Sequence, residues 1–357
     1  MSYSNQYNFE DGNIILRVTT PPKDGGAESR VVLFRVHKSI LRMQSEVFDG
    51  MMDIPQPPAD VGSNDTDLPV VDLHDSVFQV KDMLQLIYHP EEVVGIFSVK
   101  EAFGLLASAM PLLKKYQMDR LLDSCMNRIR QDCPQTLHDW DIRTAKVHGI
   151  LAPDSRSMLD RKIWANDLVV DPVAVILLAR DFPELESMTA AAFYDLSRSQ
   201  HTFLDVMHPD HALDFVDSGG MKVDYDLLTT SEWRRLWHGT NAMRAEIWWT
   251  SQDPKRRFGQ GAPWTSTRMP SDLEHSGCPE SNGRSIEVIS HVLIDSIGGS
   301  YADPLAFLKE VGEGGVPVSD LACESCSNAV AAYLLQYRHI IWGLLPKFFT
   351  TSDEEDM

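Results

Sequence analysis

The fold is decided by FEDGNIILRV at residues 9–18 and by VVLFRVHKSILRMQSEVFDGMM at residues 31–52. Ile14, Leu16 and Val18 alternate with other residues, which is the period of a half-buried β-strand. The second stretch opens with the apolar run of a returning strand, and its later apolar residues recur at helical spacing. No residue type in either stretch suggests catalysis. We therefore expect an α+β unit that works through its surface rather than through a pocket.

The pattern of strands and helices continues as far as residue 133. A short apolar run predicts a third strand, and three amphipathic segments after it predict helices. The predicted elements are the strand 69–73 and the helices 77–88, 100–115 and 118–130. Residues 1–133 are therefore predicted to form one domain, a short mixed sheet capped by helices.

Strand signals are missing from the chain beyond residue 133. Residues 134–357 are predicted to be a mainly helical region, with an irregular loop near 252–285 and a disordered acidic tail. The predicted helices are 174–180, 185–197, one that follows the capping box Thr229-x-x-Glu232, and 325–345, which Pro346 ends.

Acidic residues dominate the composition. The chain carries 32 Lys and Arg against 52 Asp and Glu, a formal charge of −20. Such a surface repels the phosphates of nucleic acids and anionic lipids, so neither direct nucleic-acid binding nor membrane binding is expected. The first residues lack the positive start and the apolar core of a signal peptide, and five cysteines fit a reducing compartment. These features predict an intracellular protein, cytoplasmic or nuclear.

A set of short motifs follows in order along the first 133 residues. They are Asp11-Gly12, FRVHKSIL at 34–41, Ser45-Glu46-Val47-Phe48, Val71-Asp72-Leu73, MLQLIY at 83–88, and KYQM at 115–118 with Leu121 and Cys125. Together these motifs resemble the BTB/POZ domain, a fold used for pairing proteins. The resemblance implies association through this domain with protein partners, and a homodimer is the expected assembly.

The same resemblance implies which residues contact the partner. BTB dimers bury an apolar helix face, and an Asp of the first strand and a His-Lys pair lie near the dimer groove. The residues expected at the contact are Phe9, Asp11, Ile14, His37, Lys38, Leu41, Val47 and Phe48. For the polar members, the alternative is a local ion pair with a half-buried histidine that supports the corner between strand and helix.

A second implication is a substrate adaptor of a cullin-type ubiquitin ligase. Adaptors of this kind carry a hydrophobic-x-Glu motif after the helix that contains Phe48. Met51-Met52-Asp53 stands at that place here, with Asp where those adaptors have Glu. Met51 and Asp53 are therefore the candidate contacts for a cullin.

Further motifs lie in the second part of the chain. They are LLAR at 177–180, AFYDLSR at 192–198, Cys323-x-x-Cys326, and IWGLLPKFF at 341–349. They are similar to those of a large group of fungal BTB proteins, of a type abundant in basidiomycetes. That group is mostly uncharacterised, so the similarity implies a family rather than a function.

His275-x-x-Cys278 and Cys323-x-x-Cys326 are the candidate metal ligands. Thiolates and an imidazole are ligands that zinc prefers, and two such pairs can supply a tetrahedral site. Two alternatives stay open: the cysteines have no ligand, or the second pair is redox-active. We expect no cofactor. Zinc is the one candidate, if these residues do hold a metal.

Enzyme motifs are absent from the sequence. It contains no Gly-x-Ser-x-Gly, Gly-x-x-x-x-Gly-Lys or His-Glu-x-x-His. We therefore expect a non-enzymatic interaction module, an adaptor or scaffold. The further alternatives are a zinc-stabilised structural protein and an enzyme whose site is assembled from residues far apart in sequence. The tryptophans 233, 237, 248, 249 and 264 are predicted to pack in the core rather than to stack on a ligand.

Overall fold

The structure is a computed structural model of the chain. It describes residues 2–20, 30–54, 68–91, 99–151, 169–199, 223–254, 281–298, 303–314, 321 and 323–350. Contacts divide the chain into a first unit, Met1–Cys133 with Asp167–Val170, and a second unit, Pro134–Asn166 with Asp171–Met357. Each unit is described by itself below.

The first unit contains a four-stranded mixed sheet. Its strands are β1 (Ser2–Asn8), β2 (Ile14–Thr20), β3 (Arg30–Val36) and β4 (Val70–Leu73). They lie in the order β1-β3-β2-β4, with β2 and β3 antiparallel, β4 parallel to β2 and β1 parallel to β3. The predicted α+β class and the small mixed sheet are therefore confirmed.

The strand β2 is more deeply buried than its alternating pattern predicts. Leu16 and Val18 are fully buried, as expected, but Ile15, on the other face, is only 5% exposed as well. Since β2 lies between β3 and β4, both of its edges are paired. The polar residue Arg17, also in β2, forms an ion pair with Asp72 of the neighbouring strand β4.

The edge strand β1 is not predicted by the sequence. Its residues, SYSNQYN, are polar, and Tyr7 is the one that becomes fully buried. The Tyr7 ring packs near Phe34 of β3 at 6.5 Å and near Tyr88 at 6.1 Å. A single anchoring side chain leaves no period-2 apolar signal, because the other contacts of an edge strand are made by its backbone.

The helix predicted over residues 39–52 is two helices, α1 (Lys38–Gln44) and α2 (Glu46–Met52). Ser45 separates them, because its extended backbone ends α1 and its Oγ accepts the N–H of Phe48 at 3.0 Å as the N-cap of α2. The same hydroxyl donates to the carbonyl oxygen of Tyr116 at 2.5 Å. The break therefore also ties this corner to a later part of the unit.

Three longer helices follow β4 in the described residues of the first unit. They are α3 (Val77–Tyr88), α4 (Val99–Lys115) and α5 (Asp119–Asp132). The predicted stripe of α3 is buried, as are Cys125 and Ile129 of α5. Gln117, in the turn between α4 and α5, has a φ of 51°, a left-handed conformation that costs a side-chain-bearing residue energy.

The described part of the second unit is helical and contains no strand. Its α-helices are α6 (Leu137–Leu151), α7 (Pro172–Asp181), α8 (Thr189–Ser199), α9 (Thr230–Gln252), α10 (Ser281–Gly298), α11 (Pro304–Gly314) and α12 (Glu324–Phe348), with 3₁₀ turns at Pro183–Met188 and Tyr225–Leu227. The capping box at the start of α9 is present as predicted, since the Thr229 and Glu232 side chains each accept a hydrogen bond from the other's backbone N–H.

Two predictions for the second unit need correction. The loop near 252–285 is shorter, because residues 281–285 begin α10, while 255–280 lie outside the described residues. Pro346 does not end the last helix, which continues to Phe348. A proline near a helix C-terminus removes a single backbone N–H donor, so one more half-turn can follow it. The predicted disordered tail, 351–357, also lies outside the described residues.

Close packing joins α9 to the end of α12. The Phe349 ring stacks on Phe193 of α8 with centroids 5.6 Å apart, and the Arg235 guanidinium lies 4.7 Å from the Phe193 ring centre. Gly239 of α9 faces the Phe349 ring, and a Cβ added at position 239 would come within 2.0 Å of Phe349 Cδ1. Position 239 therefore needs a residue without a side chain.

Candidate interaction surface

Helices α1 and α2 bring apolar side chains to the surface of the first unit. Val47, Met51 and Ile54 follow at i, i+4 and i+7, which places them on one face of α2 and of the turn after it. Val47 and Met51 are half-buried, Ile54 is 60% exposed, and Met43 near the end of α1 is 72% exposed. We call these four residues the α1–α2 strip.

Ion pairs of Arg42 lie on the same two helices. Arg42 Nε is 2.7 Å from Asp49 Oδ1, and its Nη2 is 2.7 Å from Asp53 Oδ1. All three side chains are at least 40% exposed, so these pairs contribute little stability, and they place charged groups on the same two helices. Asp53 is the acidic residue of the predicted cullin motif, so a cullin would compete with Arg42 for it.

His37 forms a cluster at the corner between β3 and α1. Its Nε2 lies 3.1 Å from Asp11 Oδ1, its Nδ1 lies 3.1 Å from the Tyr88 hydroxyl oxygen, and its backbone N–H donates to that oxygen at 3.0 Å. Phe9 stacks on Tyr88 with centroids 4.8 Å apart and lies 5.0 Å from the His37 ring. The hydrogen bond from His37 lowers the pKa of the exposed Asp11 carboxyl. This geometry corresponds to the local ion-pair alternative.

Three of the residues expected at the contact belong instead to the core. Ile14, Leu41 and Phe48 are at most 1% exposed, and Phe48 stacks on Tyr116 with centroids 4.8 Å apart. A side chain enclosed by its own unit offers no surface to a partner, so these three expectations are corrected. Lys38, by contrast, is half-buried at the first position of α1.

Sequence reasoning missed the most exposed apolar side chains of the first unit. Met43, Ile54 and Phe78 are 72%, 60% and 76% exposed. The signal was present for Phe78, since the buried stripe of α3 includes Val80 and Leu84, and a residue two positions before such a stripe points the opposite way. The exposure of Met43 could be predicted only once the break between α1 and α2 at Ser45 was recognised.

The candidate metal ligands are described only in part. Cys323 is the N-cap of α12 and Cys326 lies in its first turn, with their Sγ atoms 3.6 Å apart. His275 and Cys278 lie outside the described residues, so the zinc site stays a prediction. Within the described ranges, no group of three or more His, Cys, Asp or Glu side chains is arranged to hold a metal ion.

A second cluster, inside the second unit, buries charged groups. Asp195 of α8 accepts hydrogen bonds from Trp140 Nε1 at 3.1 Å, from Arg143 at 2.6 Å and from Arg198 at 2.7 Å. Burial of Asp195 raises the pKa of its carboxyl, but the charges of Arg143 and Arg198 outweigh that effect and the pKa is lowered. Asp195 is therefore held ionised in the interior.

The cluster extends to α11 and α12. Asp303, just before α11, accepts from Arg198 and from the Tyr194 hydroxyl, each at 2.6 Å. Arg338 of α12 donates to the Leu305 carbonyl at 2.6 Å and pairs with Asp141 of α6. We call Trp140, Asp141, Arg143, Tyr194, Asp195, Arg198, Asp303 and Arg338 the buried charge network. Its carboxylates are engaged by its own donors, which is the arrangement of a structural brace.

A small cavity lies near the network. Its cavity volume is about 10 Å³, and its lining includes Ser197, Thr240 and Ser296. Each of these hydroxyls donates to a carbonyl of its own helix at 2.7 Å. The volume is below the range of roughly 300–1,000 Å³ that is usual for small-molecule sites. This cavity therefore gives no support to a substrate pocket.

Tryptophans of α9 depart from the core prediction. Trp237, Trp248 and Trp249 are 68%, 45% and 69% exposed, while Trp233 is half-buried against Tyr225. The helix buries Leu236, Thr240, Met243 and Ile247 instead, which leaves the three tryptophans on other faces. Trp264 lies outside the described residues.

Comparisons with known proteins were made at three levels. Searches against family models, curated proteins and solved structures found no match to this chain. Among the described residues, none of the helices combines the length and the apolar character needed to cross a bilayer. The interpretation of the surface therefore depends on its own geometry.

Proposed function

We propose that this protein is a non-enzymatic interaction protein whose first unit is a BTB/POZ-type module that pairs with a second copy of the chain. The α1–α2 strip is the observation that carries the proposal. Apolar side chains grouped at a protein surface mark contact sites more often than scattered ones do. The order of the BTB-like motifs along residues 11–125 supports the same reading.

The composition of the strip suits contact with another protein, and in our proposal that protein is a second copy of the chain. Its four residues are apolar, and the ion pairs of Arg42 with Asp49 and Asp53 lie on the same helices. An apolar centre with a polar border is the usual composition of a protein interface. A two-fold pairing would bury the strip of one protomer against the same strip of the other.

Charge opposes this pairing, so apolar burial has to drive it. Each chain carries a formal charge of −20, and two copies repel each other. Salt screens that repulsion while leaving the apolar contact intact. The proposed dimer should therefore become tighter as the salt concentration rises, whereas a dimer held by ion pairs would become weaker.

In this proposal the second unit holds or presents a further protein. The buried charge network joins α6, α8, α11 and α12, so the unit keeps one arrangement of its helices. In this adaptor function the first unit pairs with the second copy, and the rigid helical second unit holds the further protein.

Sedimentation velocity of the full-length chain tests the proposal. At micromolar concentration the wild type should sediment as a species of twice 40.2 kDa, with a dissociation constant that falls from low to high salt. Ile54→Glu and Met43→Glu should both shift it to the monomer, because each places a charge in the apolar contact. Trp237→Glu is the matched control, a similarly exposed apolar residue of the other unit, and should remain dimeric.

Three outcomes would contradict the pairing. A wild-type chain that stays monomeric at all concentrations removes self-association, and a dimer that resists both strip substitutions places the contact elsewhere. A dimer lost in Trp237→Glu alone assigns it to the second unit. Mixing the monomer with purified cullin then tests the alternative adaptor function, for which Asp53→Ala should weaken binding and Trp237→Glu should not.

A further inference from the structure

The sulfurs of Cys323 and Cys326 lie in contact at the start of α12. Their Sγ atoms are 3.6 Å apart, a non-bonded distance compared with about 2.05 Å in a disulfide. Cys323 is the N-cap, with an extended backbone, and Cys326 is the third residue of the helix. The side chain of an N-cap residue naturally points toward the third helical position, where a capping hydroxyl would bind the backbone N–H. The geometry of the helix start therefore holds the two thiols together.

The two thiols differ in access to solvent. Cys323 is half-exposed, while Cys326 is fully buried. A reagent in solution can thus reach Cys323 first, and Cys326 lies within reach of the Cys323 sulfur.

The cysteines of the first unit are a contrast within the same chain. Cys125 lies on the core face of α5, and burial raises the pKa of its thiol to about 12. Cys133, at the end of the same helix, is also buried. A buried thiol that stays protonated is a poor nucleophile, so Cys125 is expected to be inert.

We propose that Cys323 and Cys326 form a reversible disulfide by exchange with a small-molecule disulfide such as oxidised glutathione. The Cys323 thiolate attacks one glutathione sulfur, the glutathione S–S bond breaks, and one glutathione leaves as a thiolate that takes up the proton released by Cys323. Cys326 then loses its proton and attacks the Cys323 sulfur, which expels the second glutathione thiolate to accept that proton. One protein dithiol is oxidised, and one glutathione disulfide is reduced to two thiols.

The sequence left three interpretations of these cysteines open: a zinc site, thiols without a ligand, and a redox pair. The proposed disulfide selects the redox pair. Bond formation must bring the two sulfurs about 1.5 Å closer than they now lie, since a disulfide requires about 2.05 Å. Because Cys326 is buried within the second unit, moving its sulfur should shift the first turn of α12 and the residues packed against it. The disulfide would thereby report the redox state of the surroundings to the helical unit.

The experiment equilibrates the full-length chain in buffers of reduced and oxidised glutathione, stops exchange with acid, and alkylates the remaining thiols. Intact mass and peptide mapping should show Cys323 and Cys326 losing the alkyl label together in one transition, with a mass loss of two hydrogens and no retained glutathione. Cys326→Ser should stop at a glutathione adduct on Cys323, because the second thiol is missing. Cys133→Ser, the control, should keep the wild-type transition.

Four outcomes overturn the proposal. One is a glutathione adduct that persists on the wild-type chain, and another is a disulfide that joins Cys278 to either member of the pair. A third is retention of both thiols in the most oxidising buffer. The last is an equivalent of bound zinc that keeps both cysteines reduced, which would select the metal site. None of these measurements depends on whether the first unit pairs with a second copy.

Discussion

The exposed ion pairs of the sheet and of α1–α2 in the first unit contrast with the buried charge network of the second unit. In the first unit the ion pairs of Arg17 with Asp72 and of Arg42 with Asp49 lie at the surface, where every partner is at least 37% exposed. In the second unit the side chains of Asp195 and Arg338 are each 4% exposed. Exposed pairs leave a surface easy to remodel during binding, whereas buried pairs fix how helices pack. In our proposal the first unit supplies the docking surface, and the second unit keeps a fixed arrangement of helices.

Removing a buried charge should have the largest effect. Arg198→Met keeps a side chain over Trp140 but leaves Asp303 without its guanidinium partner and Asp195 with one fewer. We expect the free energy of unfolding to fall by about 3–5 kcal/mol, measured by urea denaturation followed by tryptophan fluorescence. Arg42→Met, the matched change at an exposed ion pair, should leave the denaturation midpoint nearly unchanged. Equal losses in the two variants would contradict the contrast between the units.

Lowering the pH should reproduce part of the loss of stability expected for Arg198→Met. The pKa of Asp195 in the folded chain lies below its ordinary value of 3.8, because the attraction of Arg143 and Arg198 outweighs the opposing effect of burial. Its contribution to stability is therefore present above pH 4 and is lost as pH falls through the lowered folded-state pKa. Hydrogen exchange at pH 6, 4 and 3 should show protection declining in α6 and α8. A variant Asp195→Asn that declines just as steeply would remove Asp195 as the cause.

Filling the space at Gly239 should have a smaller effect. Gly239→Ala forces the new methyl group against the Phe349 ring and should destabilise the chain by about 1–3 kcal/mol in the urea assay. Gly104→Ala is the control, because Gly104 is exposed in α4 with no atom within 4 Å of an added Cβ. That change should instead stabilise the chain by about 0.5–1 kcal/mol. If Phe349→Leu does not relieve the Gly239→Ala defect, the ring is not the obstacle.

Relieving backbone strain in the first unit should have the smallest effect. Gln117→Gly replaces the residue with φ at 51° by one that adopts this conformation freely. The gain should be at most about 1 kcal/mol, since glycine also loses more backbone freedom on folding. Thermal unfolding of the variant beside Gln117→Ala, which keeps the strain, provides the measurement. A lower melting temperature for the glycine variant would show that the strain is compensated elsewhere.

Local patterns in the sequence predicted most of what depends on neighbouring residues. The hairpin β2–β3, the stripe of α3 and the capping box of α9 each follow from residues a few positions apart. The strand β1, the break at Ser45 and the helices α6, α10 and α11 were missed, because one anchor, one hydroxyl or a moderate apolar stripe gives a weak local signal. Ile14, Leu41 and Phe48 were assigned to the contact by the BTB resemblance, which identifies an apolar contact face but does not show which of its residues this chain covers itself.

The buried charge network shows the remaining limit. Asp195 and Arg198 are visible as neighbours in AFYDLSR, but Asp303 lies more than a hundred positions away from its partner Tyr194. No local spacing joins such residues. The structure does explain the motif, since Tyr194, Asp195 and Arg198 each hold a different part of the network.

The edge strand β1 has a practical consequence for work on shortened chains. A chain that begins at Phe9 would lose β1 and leave one side of β3 with unpaired backbone groups. The sequence of β3, RVVLFRV, is rich in β-branched and aromatic residues and contains no proline. Open strands of this composition recruit other strands and aggregate. Removing residues 1–8 is therefore expected to promote aggregation through the open edge of β3.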